Sequence, residues 1–205
     1  MTNKLKLFSS NLGADDFKKC ADIHHNEIQG GLLKLVGKKV LFIIYQHIFK
    51  SNYSFLIVAK KNEEIIGFFA GCFNQKLFYI DFFKKNFFIL ILNFWKFLKK
   101  DILIKFFSLN KFFLTKDYNL PEALILNFCV DKNHQSLGVG KILFNEAINV
   151  FKLNKIRNIK ITTSENQEKA INMYNSYGAI KEHQDQNFNK NKNNVVFILK
   201  IKNES

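Results

Sequence analysis

Proline and cysteine are both scarce in this chain, with one Pro and three Cys in 205 residues. Cys20, Cys72 and Cys129 have no paired spacing. That argues against a disulfide framework and against a zinc site, and no metal is expected. It fits a reducing, cytoplasmic setting in which each thiol is a small buried apolar group. A secretion signal is also missing from the expectation, because the start turns polar and then acidic at Asp15 and Asp16 without an apolar h-region. No uninterrupted apolar run approaches the roughly 20 residues that a membrane-spanning helix needs. Arg-rich patches and nucleic-acid-binding modules are absent as well, so no nucleic-acid partner is expected.

Lysine and phenylalanine are abundant. Lys and Arg number 31 against 17 Asp and Glu, a formal net charge of +14, and there are 24 Phe. A positive field of that size favours phosphate-bearing ligands or anionic lipid. The same wealth of Lys, Asn, Ile and Phe also matches the coding bias of an AT-rich genome. The length suits one domain over residues 1–205 with a sizeable core.

Residues 3–9 read as a first strand. Residues 15–50 read as helical, interrupted near Gly30-Gly31 and Gly37. Two strands follow over 54–59 and 65–73, joined by the polar turn Lys60-Lys61-Asn62-Glu63-Glu64. Residues 77–113 are rich in Phe and Ile and punctuated by Lys84, Lys85, Lys96, Lys99, Lys100, Lys105 and Lys111. This stretch is too interrupted to span a bilayer. It reads as a helical insertion packed on the sheet or on a second subunit of a homodimer, or as a basic aromatic helix lying in a membrane interface. A last strand over 195–202 follows the polar loop 187–194. The order is α/β.

The densest information lies in Val130-Asp131-Lys132-Asn133-His134-Gln135-Ser136-Leu137-Gly138-Val139-Gly140-Lys141. A strand-like apolar segment, residues 124–130, precedes it. A helical repeat follows, with Val139, Ile142, Leu143, Ala147, Val150 and Phe151 on one face. A strand that breaks at glycines and opens a helix makes an anion cradle. The first helical N–H groups lack intrahelical partners, and the helix dipole favours negative charge there. Gly138 and Gly140, without a Cβ, let a phosphate approach the backbone. A second unit, residues 159–180, reads as strand, helix and stop. Ser164 or Asn166 serves as the cap, Glu168 sits in the acidic first turn, and Gly178 occupies the left-handed stop.

The pattern Gln135-x-x-Gly138-x-Gly140, with Tyr174-x-x-x-Gly178 downstream, resembles the GNAT superfamily of acyl-CoA-dependent N-acyltransferases over residues 120–185. Ala179 stands where the family usually has Phe. The stretch from His24 to Tyr45 resembles a GNAT branch associated with bacterial surface-polysaccharide clusters, with Leu32 in place of that branch's first Phe. The resemblance implies a central mixed, mostly antiparallel sheet of six to seven strands flanked by helices, with 77–113 inserted before the central strand. It implies acetyl-CoA as co-substrate and a small amine acceptor, such as a free or nucleotide-activated amino sugar.

It also assigns roles. The backbone of Leu137, Gly138, Val139, Gly140 and Lys141 would bind the pyrophosphate, with Gln135 bracing the turn and Asn166 near the second helix start. The edge at Phe128, Cys129 and Val130 would hold the pantetheine and supply an oxyanion N–H. Tyr174 would be the general acid, a phenol of pKa ~10 matched to an alkyl thiol, with Tyr177 its rival. The family's usual base position falls on Leu124. Glu122 lies two residues earlier and would share its side of a strand. His24, His25, Glu27 and ordered water are the other candidates. The other reading is a CoA-binding or membrane-docking module with little catalysis. Contact of 77–113 with the inner face of the membrane fits either reading.

Overall fold

The computed structural model describes residues 5–28, 37–92, 120–182 and 194–202. Seven strands form one sheet: β1 (Lys6–Phe8), β2 (Ser54–Lys61), β3 (Glu64–Cys72), β4 (Leu124–Val130), β5 (Asn158–Ser164), β6 (Ile180–Lys181) and β7 (Asn194–Lys200). Their order is β1-β2-β3-β4-β5-β7-β6. Every pairing is antiparallel except β4–β5. The described helices are α1 (Ala14–Glu27), α2 (Lys38–Lys50), α3 (Gln75–Leu92), α4 (Val139–Leu153) and α5 (Glu168–Ser176). The mixed, mostly antiparallel sheet with flanking helices is the expected fold class. The expected interruption near Gly30-Gly31 and the loop 187–193 lie outside the described residues, as do residues 93–113 of the insertion.

Local chemistry explains the elements. β2 and β3 are buried on both faces, so Leu56, Ile57, Val58 and Ala59 run on without a polar partner between them. Their hairpin turns at Asn62 (φ 50°) and Glu63 (φ 64°), two left-handed residues in succession, as a tight two-residue turn requires. One core lies under α4 and α5 and contains Phe69, Leu143, Phe144, Ala147, Phe151 and Tyr174. The other lies under α1 and α2 and contains Phe17, Ile23, Leu41, Tyr45, Ile48 and Phe68. Truncating a fully buried ring such as Phe144 to Ala costs about 3–5 kcal/mol.

Two features of β4 shape the centre of the sheet. Its register against β3 shifts by one: Ala70 pairs with Asn127, but Gly71 pairs with Ile125. Leu126 is therefore an extra residue, a β-bulge that bends the strand and reverses its alternation. As a result Ile125, Phe128 and Val130 face the α4 core, while Leu124, Leu126 and Cys129 face the α1–α2 core. The second feature is the pairing with β5, which is confined to Leu124↔Lys160 and closed by Lys160 N–H donating to the Ala123 carbonyl at 2.8 Å. Beyond that pair the two parallel strands splay, and the β4 edge facing β5 has no ladder partner among the described residues.

Candidate active site

The loop after β4 is rigidly built. Asp131 N–H donates to Ile66 O at 2.8 Å, carrying the β3 ladder one residue past the strand. Asp131 Oδ1 accepts from Asn133 N–H at 2.9 Å, and residues Lys132–His134 form a 3-10 turn. Gln135 Nε2 donates to Val130 O at 3.0 Å, so Gln135 braces the turn onto the end of β4. Ser136 (φ 65°) and Gly138 (φ 77°) are both left-handed. Nothing lies within 4 Å of a Cβ built on Gly138, so the space over this backbone is open to a bulky anion. Val139 is buried and anchors the helix, whereas Leu137 and Lys141 are exposed. A Cβ on Gly140 would meet Phe128 Cζ at 3.4 Å and Val130 Cγ2 at 3.9 Å, ordinary contacts where α4 packs on β4.

Loop and strand edge are thus continuous. Phe128, Cys129 and Val130 end in the Gln135 brace, and their unpaired edge points into the gap toward β5. A shape of this kind accepts a chain with amide groups lying along the strand and a phosphate group at the helix start. Cys129 is no nucleophile, because burial pushes its thiol up to about 12.

Tyr174 projects from α5 into the α4-side core, with ring centroids 5.8 Å from Phe144 and 6.4 Å from Phe197. It is 5% exposed. Its hydroxyl makes no hydrogen bond among the described residues, and burial alone pushes its pKa up to about 12. The expected match to a thiol therefore does not hold in the unliganded protein. Tyr177 is engaged elsewhere. It packs on Phe144 at 4.5 Å, and its hydroxyl donates to Asn145 Oδ1 at 2.5 Å. Gly178 (φ 80°) is the left-handed stop, with Ala179 N–H donating to Tyr174 O at 3.1 Å. The expected caps are not used. Gln167 is the N-cap, without a side-chain bond, and Asn166 stands exposed in the turn before it.

The structure separates Glu122 from the loop. It precedes β4, is exposed, and lies on the closed side of the Leu124↔Lys160 pair. There it borders a hollow of about 480 Å³ with Lys155 and Arg157. Eight residues of strand, about 25 Å, separate it from Val130. Its backbone carbonyl accepts from Gln75 N–H at 2.9 Å at the start of α3.

Glu27 ends α1 and is half-buried; burial first, and then the Glu27 charge, raise the Cys129 thiol. One turn back, His24 is buried and shares a 2.6 Å hydrogen bond between Nδ1 and the Tyr45 hydroxyl. Burial, with His25 adding to it, pushes His24 down to about 4, so it is a poor proton acceptor at neutral pH. Tyr174 thus lies in the core on the α4 side of the sheet, and Glu27 ends the helix on the α1–α2 side. The bulge that turns Cys129 toward the α1–α2 core left no trace in the sequence, since both faces of β4 are apolar.

Solved structures with the same fold include the ribosomal-protein-S18-alanine N-acetyltransferase of Escherichia coli, which is 12% identical with a TM-score of 0.59, covering 98% of this chain and 97% of that one. Another is a putative acetyltransferase of the GNAT family from Desulfovibrio desulfuricans, 10% identical with a TM-score of 0.62, covering 97% and 100%. A third is the PaiA N-acetyltransferase of Thermoplasma acidophilum in complex with coenzyme A, 10% identical with a TM-score of 0.60, covering 96% and 99%. No curated protein matches the chain. The model of the acetyltransferase (GNAT) family matches residues 28–179, a span that holds the splayed strands, the Gly138 loop and α5, and the chain belongs to that family of acetyl-CoA-dependent enzymes.

Proposed function

We propose that this enzyme acetylates the primary amine of an amino sugar, free or activated as a nucleotide sugar, and that it does so in the cytoplasm. The splay of β4 from β5 beyond a single residue pair, ending in the open Gly138 loop, is the observation that carries the donor site. Acetyl-CoA supplies an electrophilic thioester carbonyl and a thiolate leaving group. The N–H groups of residues 137–141 bind its pyrophosphate, and the exposed Lys141 adds charge. The free edge of Phe128, Cys129 and Val130 pairs with the pantetheine amides and presents an N–H to the carbonyl oxygen. Asn166 borders the same end of the splay.

Glu27 takes a proton from the acceptor ammonium. This leaves the nitrogen lone pair to form the new C–N bond as the C–S bond breaks, and the nitrogen then loses its second proton to solvent. Glu122, beyond the closed end of the splay, serves the hollow and not the transfer. Tyr174 stays protonated at neutral pH. With a pKa pushed to about 12, it is a weaker acid than an alkyl thiol of about 8.5. It therefore stabilises the departing thiolate by donating a hydrogen bond, and the final proton comes by way of solvent. Transfer is direct, because no described thiol is ionised enough to carry the acetyl group.

The acceptor class draws support from the family likeness of the segment around His24 to Tyr45 and from the net charge of +14, which suits a phosphate-bearing acceptor and disfavours a polycation. CoA release measured against nucleotide-linked amino sugars, free amino sugars, polyamines and an N-terminal alanine peptide tests it. Highest kcat/KM on a nucleotide-linked amino sugar is the expected result. Preference for the peptide would move the enzyme among the protein acetylases.

A further inference from the structure

The helix α3 buries one stripe and exposes another. Phe78, Phe82 and Asn86, four residues apart, pack against α2. His47 lies between the two rings at 5.4 and 5.0 Å, and Asn86 Nδ2 donates to His47 Nδ1 at 3.2 Å. The opposite side is left open. Leu77 and Ile80 are each 41% exposed, Phe83 40%, Phe87 56% and Phe88 79%. At 100° per residue these five fall within one arc of about 140°. The exposed Lys76 and Lys84 lie in the same arc.

Charge decides what fits there. The one carboxylate on α3, Asp81, is drawn out of the surface. It accepts from Ser51 Oγ at 3.2 Å, pairs with Lys85 at 2.8 Å, and lies 3.4 Å from His47 Nε2. Burial would raise it, but the hydrogen bonds from Lys85 and Ser51 hold it below the usual carboxylate range. The exposed arc therefore presents only cations and apolar groups. A second copy of this chain would bring lysine against lysine on a protein already at +14. No helix among the described residues is long and apolar enough to cross a membrane.

We infer that the outer face of α3 docks this enzyme on an anionic lipid surface, with the aromatic rings in the headgroup region and Lys76 and Lys84 reaching the phosphates. This goes beyond the acyl-transfer reading and does not depend on it. It would hold the splayed site beside acceptors carried at a membrane.

Sedimentation of the full chain with vesicles tests it. Neutral phosphatidylcholine vesicles are compared with vesicles containing one quarter phosphatidylglycerol, at 0.05 and 0.5 M salt. Binding to the anionic vesicles that weakens at high salt is expected. K76Q/K84Q should lose about 25-fold in affinity, the product of about five-fold for each lysine near an anionic surface. F87S/F88S should lose binding altogether. Both variants should keep the wild-type circular dichroism spectrum and affinity for acetyl-CoA, which separates this outcome from failure of the donor site. Wild-type binding that both variants retain would place any membrane contact elsewhere and overturn the inference. So would a wild-type dimer in light scattering that F87S/F88S makes monomeric, since the arc would then be a subunit interface.

Discussion

Replacing Tyr174 by Phe separates stability from turnover. The ring is buried, while the hydroxyl makes no hydrogen bond among the described residues and is not among their buried, unpartnered polar atoms, so it reaches solvent. Removing it deletes no contact, and Tyr174→Phe should leave the unfolding free energy within about 0.5 kcal/mol of wild type. The Phe144 and Phe197 contacts of the ring survive. Turnover should fall by about 10²–10³-fold, the range for losing a hydrogen-bond donor to a developing negative charge. Affinity for acetyl-CoA should change little. Tyr177→Phe is the mirror case. It breaks the bond to Asn145 and should lower stability by about 0.5–1.5 kcal/mol at most, with kcat close to wild type. Urea unfolding and single-turnover CoA release on both variants read the contrast. A turnover defect in Tyr177→Phe alongside a normal Tyr174→Phe would refute the assignment of Tyr174 as the donor to the leaving thiolate.

Two further perturbations probe the other face of the sheet. Glu27→Gln should cut turnover by about 10²–10⁴-fold at unchanged acetyl-CoA affinity, while Glu122→Gln stays within about three-fold of wild type. Reversed effects would put the base at the closed end of the splay. His24 is held neutral by burial, with a pKa pushed down to about 4 against an ordinary value of 6.5. A lowered histidine favours the unfolded chain once the pH drops below 6.5, because the unfolded state takes the proton first. Between pH 7.5 and 4.5 it should withdraw about 2–3 kcal/mol of stability. Denaturant unfolding at the two pH values should show a fall in wild type that is smaller by about that amount in His24→Gln. Equal pH dependence in both would mean that the ring is not buried neutral.

The loop was legible because it breaks two patterns at once. Gly138 falls where an apolar strand stops and a 3.6-residue repeat begins, and the left-handed φ there asks for glycine. The end of the last described helix was legible too, because Gly178 follows it in the left-handed conformation. The bulge at Leu126 was not legible. Leu124, Ile125, Leu126 and Phe128 are all apolar, so no alternation marks which face each one takes. That hid which core Cys129 faces. Glu122 was placed by extending the alternation of β4 backward, but the strand begins at Leu124 and its geometry does not reach that far. Gln167 as N-cap went unseen because its side chain makes no cap bond and leaves no signature. The two-residue β6 is set by pairing with β7, not by its own sequence.

Calorimetric titration of acetyl-CoA into the wild-type protein and Gly138→Ala, with desulfo-CoA and ATP as comparisons, addresses the donor site directly. Nothing crowds a Cβ at Gly138, so the variant folds. Its loop relaxes away from the left-handed region, and binding must restore it at a cost of about 1–2 kcal/mol. The account predicts micromolar binding of acetyl-CoA and desulfo-CoA, much weaker binding of ATP, and a loss of about 5–30-fold in Gly138→Ala. No binding to the wild type, or equal affinity for ATP and acetyl-CoA, would contradict a cleft in which the Gly138 loop and the free edge of β4 hold pyrophosphate and pantetheine together.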